Sequence, residues 1–339
     1  MSEQLVNAQD TYQASSTVRE DIHDVISMID PSETPLFSLL NRGSRKVSST
    51  KHEWTIDELS APDPDNARVQ GYRYTFDPSD TPAKVGNYTQ IFDRSYLIAE
   101  TLEAVDKVGR RSEVARQKTK KGMEIRIDIE LALNKNQASV AGSGTVPARM
   151  AGMPAWIETN RSMGTGGSAG GYNAATGIVD AATAGTKRAW ARGLLDDVLQ
   201  SAYQNGGKPD VLIGSPYAKR QFSTLIGAEG IATLQTLTRG SEAATAIGAV
   251  DAYRSDFGLI NFVPNVQLPN FGADYASNML VVDKNQARMG WLRRIQEDKD
   301  IQKSGDAVPG VLKCEATLIV DNEAAHGVVA DIYGMNASN

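Results

Sequence analysis

A single cysteine, Cys314, and three histidines are all that the 339 residues offer for thiol or imidazole chemistry. One cysteine excludes an intramolecular disulfide and is typical of a protein made in a reducing cytoplasm. The histidines, His23, His52 and His326, are too far apart in sequence for metal-ligand spacing. His326, near Glu323, could act as a catalytic base, but a packing role at a turn is the simpler interpretation. We therefore predict no metal and no cofactor.

Recognisable catalytic and phosphate-binding patterns are also scarce. Cys314 falls within an alternating strand pattern, whereas a nucleophile is usually presented at a strand-to-helix turn. The glycine tract at 164–171 lacks the Gly-x-Gly-x-x-Gly spacing of dinucleotide-binding proteins. Gly207-Lys208 is followed by Pro209, where a phosphate-binding loop requires Ser or Thr. We predict that the protein is not an enzyme, with an unrecognised hydrolase as an open alternative.

Basic charge and long apolar runs are missing as well. Lys and Arg total 35 against 41 Asp and Glu, a net charge of -6, whereas dedicated nucleic-acid binders usually have a basic excess. No stretch approaches the roughly 18 apolar residues of a membrane span, and the polar N-terminus has no signal-peptide pattern. Aromatic residues make up only 6%, beside 30 glycines, which suits extended segments better than a deep aromatic pocket. We expect a protein made in the cytoplasm, without a membrane partner.

The N-terminal segment predicts an arm followed by two short helices. Residues 1–20 are polar and show no periodicity, as in an extended or mobile arm. Helical spacing of three and four then relates Ile22, Val25, Ile26 and Ile29. A second helical pattern begins at Pro35 and ends at Gly43.

Residues 50–99 predict a long hairpin arm. Alternation of polar and apolar residues at 52–57 and again near 88–98 is typical of strands. The connection between them has some thirty residues, contains four prolines and shows no helix pattern. Loops of this length are uncommon inside a compact domain and tend to be functional or to pack on something else.

Residues 102–138 form the most charged segment and predict a long helix. Its apolar face would comprise Ala115, Met123, Ile127 and Leu131. About 25 helical residues would span roughly 38 Å. Alternation from Ile125 to Leu133 also allows a strand, but the content of Glu, Lys, Arg and Leu favours a helix. The basic run at 107–121 could face DNA, although a solvated face or inter-subunit ion pairs are simpler interpretations.

The remainder of the chain predicts a mixed α+β protein. Residues 141–187 are rich in glycine and alanine and indicate a flexible loop or lobe junction. Residues 191–226 predict helix, strand and helix, with Ser215-Pro216 starting the second helix. Short strands are predicted at 259–263, 279–283, 288–295, 311–320 and 325–332.

In this order, the motifs resemble the SU10-type major capsid proteins of tailed phages, which share the HK97 capsid fold. The resemblance rests on Asp21–Asp24 with Ile26, Pro31-Ser-Glu-Thr-Pro35-Leu-Phe, His52-Glu53-Trp54, Val85-Gly-Asn-Tyr-Thr-Gln90-Ile, Ala104-Val-Asp-Lys-Val-Gly-Arg-Arg-Ser-Glu113, Glu130 to Ser139, Gly152-Met-Pro-Ala-Trp156, Leu195 to Asp210, Tyr253-Arg-Ser-Asp-Phe-Gly258 and Asn322-Glu-Ala-Ala-His-Gly327. It covers nearly the whole chain from about residue 20, except 160–187 and 227–249.

The resemblance implies four parts. These are an N-terminal arm (1–49), an extended loop that lies over a neighbouring subunit (50–99), a peripheral domain with the long helix as its spine (100–159 and 287–339) and an axial domain (160–286). The residues expected to contact other subunits are Trp54, Arg68, Tyr72, Arg73, Tyr88, Arg110 and Arg111.

The implied function is a major capsid protein that assembles as pentamers and hexamers. The icosahedral head would enclose double-stranded DNA without reading its sequence. We expect a separate scaffold protein, a portal and possible decoration proteins as partners, and the virion as the final location. A cellular nanocompartment shell of the same fold, an encapsulin, is the alternative that the sequence leaves open.

Overall fold

The computed structural model describes residues 29–74, 76, 81–228, 252–298, 300–303 and 305–337. The predicted arm at 1–20 and most of the helical pattern after it lie outside the described residues. In chain order the elements are α1 (Pro35–Asn41), β1 (Arg45–Lys46), β2 (Lys51–Ile56), β3 (Ala83–Tyr88), β4 (Gln90–Ala99), α2 (Glu100–Ala104), α3 (Glu113–Asn134), α4 (Met153–Trp156), β5 (Arg161–Ser162), β6 (Gly171–Asn173), β7 (Ile178–Asp180), α5 (Arg192–Gln204), β8 (Val211–Gly214), α6 (Pro216–Ala228), β9 (Ala252–Ser255), β10 (Gly258–Pro264), α7 (Gln267–Phe271), α8 (Ala273–Ala276), β11 (Met279–Val282), β12 (Ala287–Glu297), β13 (Ala307–Val320), a 3-10 turn (Glu323–Ala325) and β14 (Gly327–Val329).

The first sheet has the strand order β1-β12-β13-β4, and the long helix α3 packs across it. β12 and β13 are antiparallel, and β4 pairs over its full length with residues 307–316 of β13. One large apolar core lies between this sheet and the helix, where Cys314 from β13 is 1% exposed. The predicted apolar side of the Cys314 strand is confirmed, because alternate residues of β13 face this core.

The predicted long helix is confirmed, but its predicted apolar face is wrong. α3 has 22 residues, which corresponds to about 33 Å. Its fully buried apolar positions are Ile125, Ile129 and Leu133, whereas Ala115 is exposed and Ile127 is half-buried. The prediction followed the uncharged row from Ala115 to Met123 onward to Ile127 and Leu131, whereas the row that packs on the core is shifted by two residues.

The second sheet has the strand order β5-β14-β11-β8-β10-β9. Helices α5 and α6 cover it, and Phe222 of α6 forms the centre of an aromatic cluster with Trp190, Tyr253 and Phe262. The predicted helix–strand–helix over 191–226 is confirmed. Ser215 caps α6, since its Oγ accepts a hydrogen bond of 3.0 Å from the Ala218 amide.

The glycine-rich segment at 141–187 is hydrogen-bonded into the fold, so the prediction of a flexible loop is wrong. It contains the antiparallel pair β6–β7, and the Ser139 amide donates to the Val179 carbonyl at 2.9 Å. The glycines permit close approach of backbone segments. At Gly164, an added Cβ would lie 2.0 Å from the Thr186 carbonyl oxygen.

The hairpin at 50–99 exists, but its second strand differs from the predicted one. β2 pairs with β3, from Lys51 opposite Tyr88 to Ile56 opposite Ala83. The alternating run near 88–98 is mainly β4, which belongs to the first sheet. The alternation was strong there because one face of β4 covers the apolar core. The connection between the true hairpin strands is therefore 57–82.

The two sheets do not divide the chain in the same way as the four parts that the resemblance implies. β1 from the implied arm and β4 from the implied extended loop both belong to the first sheet. β14, from the implied peripheral domain, lies in the second sheet beside β5 and β11. Among the described residues, no helix combines the length and apolar character that crossing a membrane would need.

Candidate inter-subunit surfaces

The tip of the β2–β3 hairpin exposes large apolar side chains to solvent. We define the hairpin tip as residues 57–74 and 76. Within it, Leu59 is 99% exposed, Phe76 93%, Val69 77% and Tyr74 72%. Apolar side chains concentrated in one segment without a core of their own are typical of a surface that another molecule covers. A two-stranded hairpin is also marginal in isolation, so its tip gains little order from its own chain.

Three of the predicted contact residues, Arg68, Tyr72 and Arg73, lie in this hairpin tip and are exposed. Arg68 donates hydrogen bonds to the carbonyls of Asp65 and Ala67, both at 3.2 Å, and so stiffens a local turn. The rings of Tyr72 and Tyr74 meet edge to face, 5.2 Å apart. These three residues lie in the same exposed segment, and their contact with another subunit stays a prediction.

Trp54 and Tyr88 instead lie at the root of the hairpin, where they are half-buried against their own chain. The Trp54 ring lies 5.4 Å from Trp156, which stacks on Tyr172 at 6.2 Å. The Tyr88 ring faces the ammonium group of Lys51, 5.6 Å from the ring centroid. Trp54 therefore packs the hairpin against the rest of the subunit, whereas the Lys51–Tyr88 contact lies within the hairpin; contact of either residue with another subunit stays a prediction.

Arg110 and Arg111 lie just before α3 and differ in their surroundings. Arg110 forms an ion pair with Glu113, whereas Arg111 is exposed. The guanidinium of Arg116, hydrogen-bonded to Glu113, together with Gln117 and the charge of Arg110, lowers the pKa of the Glu113 carboxyl to about 2.

Other members of the basic run also have partners within the chain. The Lys107 ammonium donates to three carbonyls at the end of α2, and Lys118 pairs with Glu297 at 2.6 Å. Much of the positive charge of the basic run is therefore paired within the subunit.

Sequence reasoning missed a groove between α1, α3 and β12, which we call the α1–β12 groove. Its volume is about 440 Å³. Phe37 and Trp291 form its apolar floor with rings edge to face at 6.2 Å, and the guanidinium-bearing side chains of Arg126 and Arg294 lie at its rim. Three segments that are distant in sequence form this groove, so no local sequence pattern predicts it.

Glu130 is a second feature that the sequence did not indicate. Its carboxylate accepts hydrogen bonds from the Leu36 amide (3.1 Å), the Phe37 amide (2.6 Å) and the side-chain amides of Asn134 (3.1 Å) and Asn265 (2.6 Å). Burial raises the pKa of this carboxyl, and the hydrogen bonds oppose that rise. The residue joins α1 to the long helix and to the turn after β10.

The groups that could carry chemistry have structural surroundings. His326 is fully buried, accepts at Nδ1 from the Asp283 amide and lies 3.2 Å through Nε2 from the Gln286 carbonyl. Ser168 stands in a Gly-x-Ser-x-Gly stretch, but it forms a backbone bridge with Thr183 instead of a strand-to-helix turn. Within the described part of the chain, no group of three or more His, Cys, Asp or Glu is placed to hold a metal ion.

The solved structures to which the chain is similar include viral capsids and a cellular shell. The chain matches a subunit of the cyanophage A-1(L) capsid with a TM-score of 0.67 and 12% identity, covering 96% of this chain and 99% of that one. It matches a Mycobacterium phage Bobi chain with a TM-score of 0.58 and 14% identity, covering 95% and 98%. The holo-SrpI encapsulin from Synechococcus elongatus gives 0.56 and 12%, covering 97% and 98%. The fold is therefore the HK97-like capsid fold.

Sequence comparison identifies the family within this fold. The SU10 major capsid protein family matches residues 5–333, and the chain belongs to that family. A curated major capsid protein of Escherichia phage Phieco32 is 32% identical over 113 residues. That match spans 33% of this chain and only 32% of the relative's length. Members of the family are structural capsid proteins, so the prediction that the chain is not an enzyme is confirmed.

Proposed function

We propose that this chain is the shell-building subunit of a tailed-phage head and assembles as pentamers and hexamers around double-stranded DNA. The observation that carries the proposal is the hairpin tip, whose Leu59 and Phe76 are more than nine-tenths exposed. A lattice of identical subunits supplies the neighbouring surface that such a segment needs. The family membership and the fold support the same conclusion.

We propose that the subunit has the four parts that the resemblance implies, with adjusted boundaries. We propose residues up to 44 as the N-terminal arm, 51–88 as the extended loop, the first sheet with α3 as the peripheral domain and the second sheet with α5 and α6 as the axial domain. Sheet membership supports the adjustment, because β4 lies with α3 and β14 lies with β11. The axial part would meet its copies at the five- and six-fold centres.

The proposed partners follow from this role. Packaged DNA would lie against the inner face without base recognition, which agrees with a net charge of -6 and with the intramolecular pairing of the basic run. A separate scaffold protein, a portal and decoration proteins are further proposed partners. One related capsid structure, that of phage G, is described together with its decoration proteins.

An encapsulin-like nanocompartment is the second candidate, supported by the likeness to the SrpI shell. The two candidates differ in what the particle contains. Particles purified from an infected host would hold nuclease-protected double-stranded DNA if the chain forms a phage head. Protein cargo and no protected DNA would favour the nanocompartment.

A further inference from the structure

The α1–β12 groove combines an apolar floor with a basic rim. Phe37, Trp291 and Ile295 line its floor, and Arg126 and Arg294 are exposed beside them. Neither arginine forms an ion pair with any described residue. Because exposed guanidinium groups next to an apolar floor suit an acidic and apolar segment, the groove has the chemistry of a peptide-binding surface.

One segment of the hairpin tip has the complementary chemistry. Asp57 and Glu58 directly precede Leu59, whose side chain is 99% exposed. Neither acid forms an ion pair with the part of the chain that the structure describes, whereas Asp63 in the same tip lies 3.8 Å from Arg68. The exposure of Leu59 shows that this segment does not occupy the groove of its own chain.

We propose that Asp57, Glu58 and Leu59 of one subunit occupy the α1–β12 groove of a second copy of this chain. Leu59 packs on the groove floor, and the two carboxylates face Arg126 and Arg294. The proposal rests on the proposed shell function, since it requires neighbouring copies in a lattice. The Trp54 ring packs on Trp156 at the root of the hairpin, and the residues from 57 to 74 beyond it are exposed. Leu59 follows Trp54 by five residues, so an extended chain can place it up to about 17 Å beyond that root, at about 3.3 Å per residue.

Charge exchange tests the pairing. Subunits carrying Asp57→Lys with Glu58→Lys should yield about tenfold fewer closed particles, because like charges would meet across the contact. Arg126→Glu with Arg294→Glu should cause a similar loss. Combining all four changes in one chain should restore assembly. The matched control is Asp106→Lys with Asp300→Lys, two exposed acids outside both the hairpin and the proposed axial part, which should leave the yield within about twofold. Absence of rescue in the fourfold variant would overturn the pairing.

Cross-linking tests the location independently. Cys314 is buried, so an introduced surface thiol is the reactive one. Particles co-assembled from Leu59→Cys subunits and Ser38→Cys subunits should give covalent dimers with a short bismaleimide, because Ser38 is an exposed residue of the groove. Particles made from either variant alone should give none.

The outcomes separate this inference from the proposed function. Normal particles without dimers in the mixed sample would overturn the groove assignment and leave the shell function intact. The acidic N-terminal segment before α1 is the competing occupant. Maleimide labelling of the Ser38→Cys thiol in assembled particles distinguishes the two occupants. If removal of residues 1–28 exposes this thiol and charge reversal at 57 and 58 does not, the N-terminal segment occupies the groove and the proposal is wrong. Failure of the unaltered chain to form any particle, even when it is expressed with its neighbouring genes, would refute the shell function itself.

Discussion

Replacing Trp54 with alanine should loosen the hairpin at its root while leaving the rest of the subunit folded. The indole packs 5.4 Å from Trp156 and 5.7 Å from His52. A fully buried tryptophan costs about 3–5 kcal/mol when truncated, and Trp54 is half-buried, so we expect about 1.5–2.5 kcal/mol. If the truncation destabilises only the hairpin, the fraction of molecules with a transiently open hairpin rises about 10- to 70-fold, at about 1.4 kcal/mol per tenfold.

Amide hydrogen exchange of the unassembled subunit measures this opening directly. The amides of β2 should exchange about 10- to 70-fold faster in Trp54→Ala, whereas those between β12 and β13 should be unchanged. Tyr74→Ala is the matched control: because Tyr74 is 72% exposed, its truncation should change the exchange rates neither in β2 nor between β12 and β13. Unchanged exchange in β2, or equal acceleration throughout the subunit, would refute the assignment of Trp54 as a local anchor.

Three other predictions concern buried groups. Burial raises the Cys314 pKa to about 12, so a maleimide at pH 8 should label this thiol only after unfolding, and rapid labelling of the native subunit would contradict its placement. Burial lowers the His326 pKa from 6.5 to about 4, so the folded state binds fewer protons than the unfolded state between these values. Stability should therefore fall by up to about 3 kcal/mol as pH drops from about 6.5 to about 4, and urea midpoints should show a smaller loss in His326→Gln. Gly310→Ala should lower the free energy of unfolding by about 1–3 kcal/mol in denaturant titrations, because the added Cβ would lie 2.1 Å from the Tyr96 ring. Gly122→Ala, in open space on α3, should instead raise it by about 0.5–1 kcal/mol. Equal effects of the two substitutions would contradict the packing around Gly310.

The local sequence pattern was sufficient to predict most helices and strands, but it was insufficient to predict which strands pair with each other. α3, α5, β8 and β13 follow from periodicity, capping residues and length. The partner of β2 was misassigned because β3 reads Ala-Lys-Val-Gly-Asn-Tyr, with a lysine and a glycine weakening its alternation. Asn87 in β3 is fully buried and donates to the Leu318 carbonyl at 2.9 Å, a contact that spans 231 residues. Such a polar residue reads as a loop signal until its distant acceptor is known.

The candidate surfaces show the same division. The hairpin tip was predictable because a long proline-containing connection between strands has few ways to be buried in its own chain. The α1–β12 groove was not, since α1, α3 and β12 are brought together only by the fold. Glu130 was equally invisible, because the backbone donors at Leu36 and Phe37 lie more than ninety residues away in sequence. An acidic residue on a charged helix is ordinarily expected to face solvent.

Electron microscopy of particles formed by the full-length chain tests the central claim most directly. The shell assignment predicts closed particles in which pentamers and hexamers of this subunit are resolved, with each hairpin tip lying on an adjacent subunit. A chain that remains a small soluble species under all assembly conditions, including expression with its neighbouring genes, would contradict the assignment.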